Sequence, residues 1–365
     1  AHGPTGPRRP MSAERHAQAR RDLVLESGHP GKWDNRGEYW MAFGVRDFFR
    51  EWLDYADLLT QPPKVEVSAT SAWSGFDVER SYQTTIFEAL DIRENNLVTQ
   101  LDDMIARIVA DDKDVLAQLL TSRMFYTPAT APYQAQYYGK DMNRVYNVQG
   151  ITEATREARW IELPAPERAG VLTHPAWLAA HSLSFENDPN VVHRGKWIRE
   201  ELLCNDLPDL PLDVDAALPV ESQDKSARQR ISERIDSDPY CSGCHALMNP
   251  LGYPFEIYNH AGFVRVEDHG AAPNGTSVLV NMPSPELNGP VTSAIDLSAR
   301  FAASPHVKRC FIRQAFRYFA GREETMRDAC TMVAVEKAYD DSNGSFAELL
   351  IAIFNSDSFQ YRVPN

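Results

Sequence analysis

Apolar positions along this chain recur at spacings of three and four, and no strong alternating run of strand length occurs. Between Tyr39 and Leu59, the side chains of Phe43, Phe48, Phe49, Trp52, Leu53 and Tyr55 form one broad apolar helical face, closed by Gln61-Pro62-Pro63. From Thr84 to Ser122 the period returns with Leu97, Leu101, Met104, Ile105, Ile108 and Val109, and a short helix follows from Asp114 through Leu120. Four further blocks read as helices, or three if the first two merge: Ala294–Ala303, His306–Ala320, Thr325–Tyr339 and Phe346–Ser356, with Gly321 as the stop of the second. Thr276–Val280 is too short to count as a strand.

Between these blocks the chain is less regular. Residues 1–37 read as an arm holding a short helix from Met11 to Leu25, residues 64–84 as Ser-rich turns, and residues 127–150 as a long loop with Pro, Gly and Tyr. Two short capped helices are predicted around Gly170–Leu178 and Arg194–Glu200, and a polar helix from Asp224 to Asp236. The proline-punctuated run Leu207–Leu212 is extended and marks a boundary. The pattern predicts a mainly α protein: an arm (1–37), a helical domain of unassigned role (38–206), a Pro-rich linker (207–220) and a second domain (221–365).

At 365 residues, 43% apolar and 24% charged, the composition is that of an ordinary globular protein. A net charge of −14 argues against a nucleic-acid partner, and no apolar run is long enough to span a membrane.

The stretch with the most specific chemistry is Cys241-Ser242-Gly243-Cys244-His245. Two thiols one helical turn apart, followed at once by an imidazole, form the pattern of covalent haem attachment: Cys241 and Cys244 give thioether links and His245 the proximal iron ligand. No second Cys pair or His pair completes a zinc tetrahedron. Asp238-Pro239 opens a helix before the motif, and Asn249-Pro250-Leu251-Gly252 stops it. A haem attached in this way places a bacterial protein outside the cytoplasm, with a leader removed ahead of Ala1.

The sixth iron position has several candidates. Met282, in a loop with Pro283 and Pro285, is an axial thioether or a packing residue; His260 and His269 are alternatives, and an open site is the remaining case. Met248 lies on the proximal side. Arg265, Arg317 and Arg322 are fork donors suited to haem propionates, with surface solvation as the plain alternative. Phe311, Phe316, Tyr318 and Phe319 read as core, with some rings able to cover a haem edge. Asp111-Asp112-Lys113-Asp114 is a charged turn, and Asp340-Asp341-Ser342-Asn343-Gly344 resembles a calcium loop without its closing Glu. Of the remaining cysteines, Cys310 and Cys330 lie in adjacent helices turned at Gly321, which predicts a Cys310–Cys330 disulfide and a free Cys204.

Region 168–365 resembles the large cytochrome-like proteins of planctomycetes and myxobacteria, described as a string of domains called DUF1592, DUF1588 and DUF1585. Arg168–Pro211 looks like the end of the first, Cys241–Arg265 (CSGCHALMNPLGYPFEIYNHAGFVR) like the second, and Phe301–Arg362, with Cys310, Tyr318 and Gly321-Arg322, like the third. Asn259 stands where the family tends to have Asp, and the Met282 loop matches no family motif. The resemblance implies a secreted protein carrying one covalent haem c. The combined expectation is a helical domain followed by a c-type cytochrome-like domain, with iron held by His245 and Met282 and Arg265 near the cofactor. Such a protein would exchange electrons with a redox protein partner, alone or within a larger secreted or periplasmic complex. A haem enzyme of peroxidase or oxygenase type and a haem-bearing structural subunit stand as alternatives.

Overall fold

The aromatic face near the start of the chain folds as helix α1, Phe43–Trp52, which buries Val45, Phe48, Phe49 and Trp52 at helical spacing. In this computed structural model the described residues are 18, 23–24, 41–59, 97–127, 159–182, 189–208, 224–236, 238–260, 262, 264–265 and 267–361. The expected helix at Met11–Leu25, the Gln61–Pro63 stop, the Ser-rich turns, the 127–150 loop and most of the 207–220 linker lie wholly or largely outside them.

After α1 come α2 (Leu97–Asp111), α3 (Val115–Thr121), strands β1 (Met124–Thr127) and β2 (Arg159–Glu162), α4 (Pro175–Ala180), α5 (Val191–Trp197), α6 (Ala227–Ile231) and α7 (Pro239–Gly252). Then follow β3 (Ser277–Leu279), β4 (Gly289–Val291), α8 (Ala294–Ala302), α9 (Pro305–Ala320), α10 (Ala329–Asp341), α11 (Phe346–Phe354) and α12 (Asp357–Gln360). The chain is mainly α, as its periodicity predicts. The strands form two antiparallel pairs, with Phe125 opposite Ile161 and Val278 opposite Pro290. Boundaries in the last third follow from local chemistry. Ser293, Ser304 and Ser345 each accept backbone N–H groups at a helix start, and Gly321, at φ 65°, ends α9 in the left-handed conformation.

One core joins elements from both ends of the chain. Phe48 packs against Tyr318 (ring centroids 5.4 Å), Phe319 (5.6 Å), Phe346 (5.6 Å) and Phe311 (6.3 Å), so α1 sits on α9 and α11. The fully buried rings among them, Phe48, Phe311 and Phe346, each contribute about 1.5–3 kcal/mol by leaving water. Arg50 grips Asp102 with two nitrogens and the Tyr55 hydroxyl donates to the same carboxylate at 2.6 Å, tying α1 to α2. The two acidic turns interlock. Asp114 N–H donates to Asn343 O (2.7 Å) and Val115 N–H to Gly344 O (3.0 Å). Asp112 meanwhile takes the Ser345 hydroxyl (2.6 Å) and the Ala347 N–H (3.1 Å) at the start of α11. A Cβ on Gly344 would stand 2.7 Å from the Asp114 Cα, which explains the glycine. The segment resembling a calcium loop is a backbone lock.

A second close approach positions α7. At Gly195 in α5 a Cβ would lie 2.1 Å from Met248 O, and at Gly252 in α7 it would lie 1.8 Å from Val191 O, so the two helices cross backbone against backbone. Fully buried Arg194 fixes what lies beyond. Its guanidinium donates to Leu178 O (3.0 Å), Ser182 Oγ (2.7 Å), Phe255 O (3.1 Å), Tyr258 O (3.2 Å) and Asn259 O (2.8 Å). With no carboxylate partner there, burial pulls its pKa down to about 9.

The disulfide joins Cys204 to Cys310 (Cα–Cα 5.6 Å), whereas Cys330 is an exposed free thiol. The expected Cys310–Cys330 pairing is therefore corrected. Cys310 is a buried residue of α9 near Glu201 O, while Cys330 lies at an exposed position of α10. Cys204 reaches its partner from a left-handed backbone conformation, φ 45°.

Gly195→Ala should lower stability by several kcal/mol, because backbone cannot yield as a side chain can. By contrast Gly243→Ala, in α7 with open space around its Cβ, should be neutral or stabilising by up to ~1 kcal/mol; paired thermal melts check both. Peptide mapping without reduction should recover a Cys204–Cys310 link and an alkylated Cys330. Removing this link, which closes a separation of 106 residues, should cost about 4–5 kcal/mol in the chain-entropy picture, read as a drop in Tm on Cys204→Ser.

Candidate functional site

Helix α7 carries the motif read from the sequence. Pro239 opens it and it runs through Pro250 to Gly252. Cys241, Cys244 and His245 are half-buried in its first turns, and both thiols are free. Partial burial and then the neighbouring Asp238 carboxylate raise the Cys241 thiol pKa, so the thiolate that a nucleophile needs is disfavoured. His245 Nδ1 lies 3.1 Å from Asn249 Oδ1, one turn along the helix, which orients the imidazole.

The other expected site residues are engaged elsewhere. Met282 is 8% exposed and packs into the main core, with Arg199 Nη1 3.8 Å from its sulfur; the same arginine donates to Asn281 O at 3.1 Å. Arg265 is buried, donating to Glu256 O (3.1 Å) and pairing with Asp268. His269 Nδ1 contacts Asp268 at 2.7 Å, and His260 is buried at 2% exposure. Arg317 forks onto Glu324 (2.7 and 3.0 Å) and Arg322 onto Asp328 (2.8 and 2.7 Å).

The expectation of one covalently bound haem c is corrected. Among the described residues no group of three or more His, Cys, Asp or Glu side chains converges to hold a metal ion. The disulfide found there takes Cys204 and Cys310 rather than the motif cysteines. The thioether and the guanidinium expected beside His245, those of Met282 and Arg265, are already committed to other partners. The c-type cytochrome carrying electrons, the haem-enzyme alternative and the haem-bearing subunit all lose the cofactor on which they rest. No helix of the described residues is long and apolar enough to cross a membrane.

A concave site does exist, where three separated segments meet. A cavity of about 340 Å³ lies between α1, the end of α5 and α9. Phe48, Trp52, Trp197 and Tyr318 are its aromatic lining; Glu51, Asp54, Glu201, Gln314 and Arg317 are its polar lining. Trp52 stacks on Phe48 (5.8 Å) and its ring centroid lies 6.4 Å from that of Trp197.

The geometry here depends on how α5 ends. Past Trp197 the helix widens into a π turn, Ile198–Leu202, in which the Leu203 N–H reaches back five residues to Ile198 O (3.0 Å). The carbonyl of Glu201, in the last turn, is left to take other donors: the Trp52 indole N–H (3.2 Å) and the Gln314 amide (3.2 Å). Gln314 also donates to the Glu201 carboxylate at 2.9 Å. The disulfide follows directly, so the α5 wall is covalently tied to α9.

Electrostatically the cavity is acidic. Burial first, then the carboxylates of Glu200, Asp206 and Asp54, raise the pKa of Glu201 against the opposing pull of Arg317. Arg317 is itself matched by Glu324. Burial, Asp47 and Glu51 likewise raise the Tyr318 phenol. Sequence reading missed this site because Trp52 and Tyr318 pass as core residues and Glu51 and Glu201 as surface charge.

Comparison with known proteins adds family but no activity. No curated protein and no solved structure matches. Residues 168–268 match a family model described as a protein of unknown function (DUF1588), and residues 289–359 one described as a protein of unknown function (DUF1585). The stretch Arg168–Pro211, which looks like the end of a DUF1592 domain, falls within the DUF1588 match. The buried Arg168 and Arg194, the Gly195 crossing and α7 lie in the first matched segment, and α8 to α11 in the second. The chain thus carries a DUF1588 domain followed by a DUF1585 domain, the family arrangement that its last two hundred residues resemble.

Proposed function

We propose that this chain is an exported binding module that docks a partner protein of a larger assembly in the cavity between α1, α5 and α9, with α7 serving as scaffold. The carrying observation is that cavity. Aromatic side chains present large, rigid contact area, and a concave pocket of this size lined by rings and a few polar groups is the usual form of a recognition site. Support for export comes from the Cys204–Cys310 disulfide, since such bonds persist in oxidising compartments. The role assigned to α7 draws on its backbone-tight crossing with α5 and on the raised pKa of Cys241, which suit framework better than reaction.

The reading is tested by placing a photo-crosslinking phenylalanine derivative at Tyr318 and, separately, at exposed Val333 and Gly243, in the native host. A discrete crosslinked species from Tyr318, weak or absent from the other two positions, is expected. Capture from the Gly243 position in α7, or equal yields at all three, would move the binding face away from the cavity.

A further inference from the structure

The chemistry of the cavity selects among ligands. Its lining places the rings of Trp52, Trp197 and Tyr318 beside the carboxylates of Glu51, Asp54 and Glu201. Glu51 is exposed, and its carboxylate has no hydrogen bond or ion pair among the described residues. Arg317, the one cation of the lining among the described residues, is already held bidentately by Glu324. Glu51 and Glu201 therefore leave acidic charge in excess beside the half-buried ring of Tyr318.

We propose that the cavity binds an arginine side chain presented by a partner polypeptide; this rests on the binding role assigned to the cavity above. A guanidinium meets both halves of the lining. Its plane stacks on the Tyr318 ring, where the quadrupole attracts a cation, and its edge donates in a fork to carboxylates. An ammonium offers a point charge without the plane. An anion or a purely apolar side chain would leave the acidic excess unmatched or add to it. The walls are fixed in advance, because Glu201 and α9 are joined through Cys204–Cys310 and through Gln314, so little ordering is required on binding.

The experiment uses the full chain with its disulfide intact, titrated with blocked Gly-Gly-Xaa-Gly-Gly peptides and followed by tryptophan fluorescence and calorimetry. Xaa is arginine, lysine or citrulline, the last being the neutral near-isostere of arginine. Saturable binding of the arginine peptide is expected, with citrulline weaker by about tenfold or more and lysine in between. Glu51→Gln, a change at an exposed position that leaves the fold intact, should weaken the arginine peptide about threefold at low salt and less at high salt. Equal binding of arginine and citrulline, or no change in Glu51→Gln at low salt, overturns the proposal. So does the absence of any saturable signal. If none of the peptides binds while Tyr318 still crosslinks a partner, the binding role stands and the ligand class is wrong. If Tyr318 crosslinks nothing, the broader reading has failed as well.

Discussion

The contact on which the rest of this structure depends is the seating of Phe48 among Phe311, Tyr318, Phe319 and Phe346. It brings a helix from the first sixth of the chain onto two helices from the last sixth. The aromatic faces of α9 and α11 are covered by it, and Trp52 is carried to the end of α5. Without α1 the cavity would lose three of its acidic or aromatic lining residues, Phe48, Glu51 and Trp52. The Arg50–Asp102–Tyr55 cluster and the Asp112 cap on α11 hold the same long-range arrangement from other sides. Such contacts join residues far apart in sequence, so they form only when the whole fold forms.

The second constraint is steric. Two glycines, Gly195 and Gly252, let α5 and α7 approach at backbone distance, and Arg194 then gathers carbonyl groups from two further segments, at Leu178 and at residues 255–259. The Cys-Ser-Gly-Cys-His stretch lies on the helix positioned by this crossing. A five-residue motif reports which side chains stand one turn apart; it does not report whether a sulfur and a guanidinium will be left over to complete a cofactor site. Here Met282 and Arg265 are spent in packing and ion pairing.

How much was legible varied with the range of the interaction. The α8, α9 and α11 boundaries could be read to within a residue or two because Ser293, Ser304, Ser345 and Gly321 act on their own neighbours. Strands β1 and β2 could not, since each is four residues long and its partner lies far along the chain. The disulfide was misread for a related reason: Cys330 is nearer to Cys310 in sequence, but helix face decides, and Cys330 faces outward. The first acidic turn read only as a charged turn and the second as an incomplete calcium loop, because each finds its purpose in the other. The cavity was invisible since each of its residues has an ordinary explanation within its own segment.

Amide hydrogen exchange at α1 tests this account most directly. If Phe48 locks α1 into the shared core, the amides from Phe48 to Trp52 should exchange as slowly as those in the middle of α9, by the same global opening, and should lose that protection together in Phe48→Ala. Rapid exchange of α1 while α9 stays protected would show that the helix frays independently. The cavity would then have no fixed wall on that side, contrary to the structure described above.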